Sequence, residues 1–310
     1  MNIRQEACGG FIVSRGESEI EITHPGGKWS LLSSSYGGGY TEAPDKLVLT
    51  GKGVRSGQFS IRTSSDIENA SLISRSHGMT SVSALVIADP DPQTPRSVDK
   101  GYGISIVLMV DAALPTATMA RAAVTSTEAV TCAFQQLMIG RPDSKEIASG
   151  SDSVCIAVLS NTERGITLHN AGKHSKLGEL IGRAVIEATL SSMGKNGVTP
   201  ESQADIFKRL ERFGITKGSC EEYLVANGLE PGKGFGAAIE KISCDKVMLS
   251  CVSSILHIED EISWGLIPED EGYEAGREII CAVISKDAPG SKDLIADIVS
   301  AVSMKALKEG

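Results

Sequence analysis

The period of the hydrophobic positions changes along the chain, and these changes predict alternating strands and helices. Continuous apolar runs of strand length occupy 82–88, 104–110 and 154–159, which is typical of strands that are buried on both faces. Apolar residues recur at every third or fourth position after Pro115 and again after Ser175, which predicts two amphipathic helices. The predicted fold class is therefore mixed α/β, with a buried sheet of mostly apolar strands flanked by amphipathic helices.

Helical spacing dominates the last third of the chain, whereas the first 30 residues predict two short strands. The helical segments are 202–213, 220–227, 247–262 and 293–307. The short strands lie around 10–13 and 19–23. Because no repeat or low-complexity linker separates these parts, we predict a single integrated domain over 1–310. Its core would be 1–195, and 196–310 would be a mainly helical part packed on that core.

Composition and charge exclude several classes of protein for this chain. The chain has 310 residues, of which 41% are hydrophobic but only 4% aromatic, so Ala, Val, Ile and Leu must build most of the core. A net charge of −9 argues against a nucleic-acid partner, because phosphate binding needs a basic surface. No apolar run approaches the ~20 residues of a membrane span, and the first residues lack a signal-peptide pattern. We therefore expect a cytoplasmic protein with no membrane partner.

The seven cysteines argue for reduced core thiols. Their number is odd, and no close C-x-x-C pair occurs among them. Cys132 and Cys155 fall inside apolar patterns, where a thiol behaves as a small hydrophobic group. No H-E-x-x-H motif or His/Cys spacing indicates a zinc site, so no metal ligand is predicted.

The densest chemistry of the chain lies between the last apolar strand and the second helix. Arg164 and Gly165 favour a turn into a short strand at 166–169, which would make a buried hairpin with the strand at 154–159. Gly178 and Gly182, four residues apart in the helix, would let another backbone approach closely.

A polar loop precedes that helix. Ser175 suits the N-cap position, and Lys173 and His174 stand directly before it. These two side chains and the first free N–H groups of the helix would face one small volume, in which an anion or a developing oxyanion is stabilised.

Residues 170–185, NAGKHSKLGELIGRAV, resemble the signature of the adenosylcobinamide amidohydrolases of corrinoid salvage. The segments 104–137 and 149–158 resemble the same family in the same order, and weaker similarity extends to 31–39 and 202–215. The run SGSDS that ends at residue 153 departs from the alternating Gly and Ser/Thr pattern expected before the family's aspartate, which affects the position of Asp152.

The resemblance implies a function. It implies hydrolysis of the amide that links aminopropanol to the corrin ring of adenosylcobinamide, giving adenosylcobyric acid for cobalamin biosynthesis. The implied partner is a corrinoid small molecule, and no cofactor is expected besides the cobalt of that substrate. A homo-oligomer remains open.

Amide hydrolysis needs a nucleophile, a group that holds the oxyanion and an acid for the departing amine. We assign Asp152 and His174 as the base and the acid, and Lys173 as the oxyanion holder. Glu128 is a further catalytic candidate, since it interrupts a helix face of small residues and needs a partner if that face is buried. The candidate substrate-binding residues are Ser34, Gly38, Thr127, Ser151, Asn170 and Ser175.

Three alternatives stay open at this point. Ser33, Ser34 or Ser151 would serve as a nucleophile, although no G-x-S-x-G elbow surrounds any of them. A non-catalytic corrinoid-binding protein would use the same loops without chemistry. An autoprocessing hydrolase with an internal threonine is suggested by the Thr-Ser-Thr run at 125–127 and predicts two fragments on a denaturing gel.

Overall fold

The computed structural model describes residues 3–24, 26, 28–34, 40–42, 46–51, 60–88, 103–139, 154–284 and 291–310. They form two compact units. The first contains the described residues up to Ile139 together with 154–199, and the second contains Pro200–Gly310. The packing of the helical part on the core, as one integrated domain, stays a prediction.

The first unit contains two sheets. The strands are β1 (Ile3–Glu6), β2 (Ile12–Arg15), β3 (Glu19–Thr23), β4 (Trp29–Ser33), β5 (Tyr40–Glu42), β6 (Lys46–Thr50), β7 (Ser60–Arg62), β8 (Ser71–His77), β9 (Thr80–Ala88), β10 (Ile104–Val110) and β11 (Val154–Asn161). One sheet has five strands in the order β1-β2-β3-β6-β7, and the other has six in the order β5-β4-β11-β10-β9-β8. The three apolar runs of the sequence are the central strands β9, β10 and β11, as predicted.

Strands β10 and β11 are parallel, and the chain between them contains helix α1, Thr116–Leu137. Two adjacent parallel strands need such a crossover, because the chain must return to the same edge of the sheet before the second strand begins. Both α1 and the next helix, α2 (Lys176–Lys195), therefore begin on the side of the sheet where the carboxyl ends of β10 and β11 lie. The predicted helix starts at Pro115 and Ser175 are confirmed, since these residues are the two N-caps.

The two faces of the six-stranded sheet are covered differently. Val86, Leu108 and Val158 belong to a core shared with α1 and α2. Leu85, Val107 and Leu159, their neighbours along the strands, belong to a core shared with the five-stranded sheet. This alternation explains the continuous apolar runs, because both faces of each central strand are buried. The helices flank the sheet as predicted, and the second sheet on the other face is an addition to that prediction.

The second unit is helical. Its helices are α3 (Ile206–Leu210), α4 (Lys217–Ala226), α5 (Phe235–Ser243), α6 (Lys246–Ser263), α7 (Glu269–Ile279), which continues into a π-helical turn at Ile280–Ile284, and α8 (Leu294–Glu309). Asp245 and Asp293 cap α6 and α8 by accepting backbone N–H groups. The predicted helix at 202–213 is shorter, because Asp205 accepts from the N–H of Phe207 and starts α3 there. Within the described residues, no helix has the length and apolar character needed to cross a membrane.

Candidate active site

A buried serine shapes the chain that leaves the sheet. The hydroxyl of Ser160 donates to the carbonyl of Ala112 and accepts from the N–H of Leu114, both at 2.8 Å. Ala113, between them, donates to the carbonyl of Ile166 at 2.8 Å and accepts from the N–H of Leu168 at 3.0 Å. The end of β11 thus fixes the segment that follows β10.

The predicted hairpin is therefore wrong. Gly165 does form the expected turn, with a φ of 74° that suits glycine. Beyond it, Thr167 forms a parallel bridge with Ala113 instead of pairing with β11. β11 has no free edge to offer, because β4 and β10 pair with its two sides. The turn could be predicted from Arg164 and Gly165 themselves. The partner of the next segment could not, because it depends on which strands already pair with β11.

The carboxylate of Asp111 is buried at the end of β10. Its Oδ2 lies 3.2 Å from Nε of Arg164, which is half-exposed in the turn before 166–168. Its Oδ1 has no hydrogen-bond partner among the described residues, and it faces Gly9, where an added Cβ would lie 3.1 Å away. This ion pair ties the turn after β11 to the end of β10.

Side chains of the loop 170–175 hold its own backbone. Oδ1 of Asn170 accepts from the N–H of Gly172 at 2.9 Å. The hydroxyl of Ser175 shares its hydrogen between the carbonyls of Asn170 and Gly172, at 2.9 and 2.8 Å, and accepts from the N–H of Gly178 at 3.0 Å. Ser175 is thus the N-cap of α2, as predicted. Two of the predicted substrate-binding residues therefore shape the loop itself.

Of Gly178 and Gly182 in α2, only Gly178 permits the close approach of another backbone. A Cβ on Gly178 would lie 2.0 Å from the carbonyl oxygen of Gly172 and 2.8 Å from that of Ala171, so the prediction for Gly178 is confirmed. At Gly182 the same atom would meet nothing within 4 Å in the described structure, so the prediction is wrong there. The two positions differ because the loop crosses the first turn of α2 and does not extend to the second.

Helix α1 borders the loop on its other side. The hydroxyl of Thr125 donates to the carbonyl of Ala171 at 2.8 Å. Nε of Arg121, one turn earlier, lies 3.3 Å from the point that a Cβ of Gly172 would occupy. Glu128 lies on the same side of the helix, with Oε1 3.7 Å from Nη2 of Arg121. The sequence did not single out Arg121, and it singled out Thr125 only as part of the Thr-Ser-Thr run of the autoprocessing alternative.

Lys173 and His174 occupy the middle of this loop, and both are exposed. Within the described part of the chain, neither side chain makes a hydrogen bond or an ion pair, which leaves both available to a bound molecule. The next cationic groups are already paired, since Lys176 and Arg183 contact Glu179 at 2.5 and 3.0 Å. A fixed backbone thus carries, directly before the N-terminus of α2, two polar side chains that no described residue pairs with.

The part of the chain that matches a known family includes the loop 170–175 and helices α1 and α2. Residues 30–199, more than half of the chain, match the profile of the family described as adenosylcobinamide amidohydrolase. The chain belongs to the adenosylcobinamide amidohydrolase family. A curated protein of Methanocaldococcus jannaschii, named as uncharacterized, is 36% identical over 93 residues. That alignment covers 30% of this chain, and the chain spans only 36% of the relative's length.

The structure of this adenosylcobinamide amidohydrolase family member places some predicted site residues together. Asn170, Lys173, His174 and Ser175 share one loop, and Glu128 reaches its border through Arg121. Other predicted residues are not brought to the loop. The hydroxyl of Thr127 bonds back to the carbonyl of Ala123 at 3.2 Å, and residues 125–127 lie inside the unbroken helix α1.

Ser34 is at the other end of the sheet. Its hydroxyl accepts from the N–H of Ile156 at 2.9 Å, near the start of β11, whereas the chain to His174 leaves from the end of that strand. Ser34 thus contacts β11 at the end opposite to the one from which the chain continues to the family signature at 170–185. Gly38, Ser151 and Asp152 lie outside the described residues.

The described side chains offer little to a metal ion. Among them, no group of three or more His, Cys, Asp or Glu residues is arranged to hold one. Cys8, whose thiol lies against the carbonyl of Met109 near the end of β10, is poorly suited to ligation or attack, because burial above all raises the pKa of its thiol to about 11.

Proposed function

We propose that this protein hydrolyses the amide that joins aminopropanol to the corrin ring of adenosylcobinamide, releasing 1-amino-2-propanol and adenosylcobyric acid. The observation that supports this most is the family match over 30–199, which includes the whole loop 170–175. The available side chains of Lys173 and His174 agree with it, because amide hydrolysis needs a charged hydrogen-bond donor and a proton donor at the reacting group.

The proposed reaction begins when water adds to the amide carbonyl carbon and forms a tetrahedral intermediate. Asp152 accepts a proton from that water, as the sequence predicts. Lys173 stabilises the negative oxygen of the intermediate, with the N-terminus of α2 adding a favourable dipole. His174 donates a proton to the nitrogen as the carbon–nitrogen bond breaks, so the products are a carboxylate on the ring and a free amine.

The corrin ring sets the demands on the substrate pocket. Its rim is broad and largely apolar, so its binding needs a wide cleft with small residues at the reacting end. Lys173 shares its loop with the small residues Ala171, Gly172 and Ser175, which agrees with this demand. Binding energy from the ring would be used to align a single amide, so truncated amides should be poor substrates.

The test uses purified full-length protein and adenosylcobinamide. We expect stoichiometric release of 1-amino-2-propanol, measured by mass spectrometry, together with appearance of the ring carboxylate. Simple N-alkyl propionamides should react far more slowly. A spectral change of the corrinoid without amine release would instead support the corrinoid-binding alternative, and equal turnover of the simple amides would contradict the ring pocket.

A further inference from the structure

Thr125 differs from the other hydroxyl residues around it on α1. Ser126 donates to the carbonyl of Ala122 at 2.9 Å, and Thr127 and Thr131 likewise donate to carbonyls four residues earlier. This back-bonding is the ordinary behaviour of Ser and Thr within a helix. Thr125 instead sends its hydrogen bond out of the helix, to the carbonyl of Ala171 at 2.8 Å.

The carbonyl that accepts from Thr125 belongs to a buried residue of the loop 170–175. Ala171 is fully buried, and its neighbours Asn170 and Gly172 give their carbonyls to Ser175, within the same loop. Ser175 and the bare Cα of Gly178 fasten the loop to α2. The bond from Thr125 fastens it to α1, the other helix of the layer.

We propose that Thr125 is a positioning residue that holds Lys173 and His174 in register with the reacting amide. Without its hydroxyl, the Ala171 carbonyl would be buried without a donor, and the loop would have to move until water could reach that oxygen. Lys173 and His174 follow two and three residues later and would move with it. A displacement of about 1 Å at reacting groups is enough to lower a rate by ~10²-fold.

This inference rests on the proposed function, because the hydrogen bond from Thr125 to Ala171, called the tether below, matters for catalysis only if Lys173 and His174 act on the amide. Its signature is kinetic. Groups that act on the transition state change kcat, whereas groups that bind the ring change KM. We therefore expect loss of the Thr125 hydroxyl to lower kcat by ~10–100-fold and to leave KM within about twofold of the wild-type value.

The experiment compares four full-length variants. Thr125→Val keeps the shape but removes the donor, Thr125→Ala removes it with a smaller side chain, and Thr125→Ser restores it. Ser126→Ala is the matched control, because it deletes a buried hydroxyl that bonds only within α1. Alongside kinetics, hydrogen–deuterium exchange of a peptide that spans 169–177 reports the order of the loop without any substrate.

The expected result is faster exchange at 169–177 and lower kcat in Thr125→Val and Thr125→Ala, with Thr125→Ser and Ser126→Ala close to wild type. Wild-type kcat and exchange in folded Thr125→Val or Thr125→Ala would overturn the inference. Thr125→Ala decides the matter if Thr125→Val does not fold. If the wild-type protein releases no aminopropanol, the proposed function fails, and the exchange comparison still tests the tether by itself.

Discussion

Gly178 packs its bare Cα against the carbonyl of Gly172 so closely that a Cβ would lie 2.0 Å from the carbonyl oxygen. The carbonyl carbon of Gly172 and the carbonyl oxygen of Ala171 also lie within 3 Å of that position, at 2.5 and 2.8 Å. Because all three are backbone atoms, there is no flexible side chain that could move aside. The contact joins the first turn of α2 to the loop of Lys173 and His174.

Gly178→Ala should therefore destabilise the protein by ~1–3 kcal/mol through overpacking, and displace the loop. The matched control is Gly182→Ala, where the new methyl group meets open space on the same helix. That variant should gain ~0.5–1 kcal/mol, because alanine is the better helix former. Urea-unfolding midpoints of the two variants give the comparison, and equal midpoints would show that the loop accommodates a methyl group at Gly178.

His174→Ala should lower turnover by ~10²–10⁴-fold if its ring protonates the departing amine. Lys173→Ala should lose ~10²-fold if its ammonium group contributes like a single oxyanion donor. Affinity for the corrinoid should change little, because both groups act on the transition state. Saturating-substrate kinetics on folded protein measure this, with His169→Ala as a control for the loss of an exposed imidazole in the same segment. Activity of His174→Ala within about threefold of wild type would remove His174 from the catalytic residues.

Glu179 and Glu128 should respond differently to replacement by glutamine. Glu179 lies in the first turn of α2 and pairs with Lys176 and Arg183, so Glu179→Gln should lower the melting temperature slightly. Glu128→Gln should lower turnover more than stability, because Glu128 reaches the site through Arg121. Paired melting and turnover measurements test this ranking, and the reverse ranking would transfer the functional role to Glu179.

The pH dependence of the Glu179 effect has a definite sign. The hydrogen bond from Lys176, and then the charges of Lys176 and Arg183, lower the pKa of Glu179. The folded state therefore favours the carboxylate, and this stabilisation is fully present above the unfolded pKa of ~4.3. It is lost as the pH falls through the lower pKa of the folded state. The difference in melting temperature between wild type and Glu179→Gln should thus shrink on acidification, and a constant difference would contradict the pairing.

Cys8 should resist thiol reagents while the protein is folded. Burial, and to a smaller extent the charge of Asp111, raise its pKa to about 11, and its Sγ–H donates to the carbonyl of Met109 at 3.1 Å. Cys244 is exposed and should be modified first at about pH 8. Peptide mapping after timed alkylation compares the two cysteines, and urea should abolish the difference. Rapid modification of Cys8 in native buffer would show that the N-terminal segment opens readily.

Local signals in the sequence predicted the elements well. The cap at Ser175, the turn at Gly165 and the apolar runs of the central strands each depend on a few neighbouring residues, and all are found in the structure. The pairing of 166–168 was missed because the available partner, Ala113, is set by the sheet. The contact of Thr125 with Ala171 was missed for a related reason, since a helical threonine ordinarily bonds within its own helix.

The predicted site was harder to assemble than the fold. Ser34 and His174 both belong to segments that resemble the family. Ser34 nevertheless bonds near the start of β11, whereas the chain to His174 leaves from the end of that strand. Sequence similarity identifies such segments but does not say at which end of a strand each one lies. Arg121 left a usable signal, because it precedes Thr125 and Glu128 by four and seven residues and so shares a helix face with them.

The five-stranded sheet extends beyond the region that matches the family. Its strands β1, β2 and β3 all precede residue 30, where the family match begins, yet Phe11, Ile20 and Ile22 share the core of the six-stranded sheet. The matched region alone would keep β6 and β7 but lose β1, β2 and β3, and so would expose part of the apolar surface of Leu85, Val107 and Leu159 to water. In this chain the region matched by the family is therefore smaller than the hydrophobic core that the first unit needs, and a fragment cut at the family boundary should aggregate.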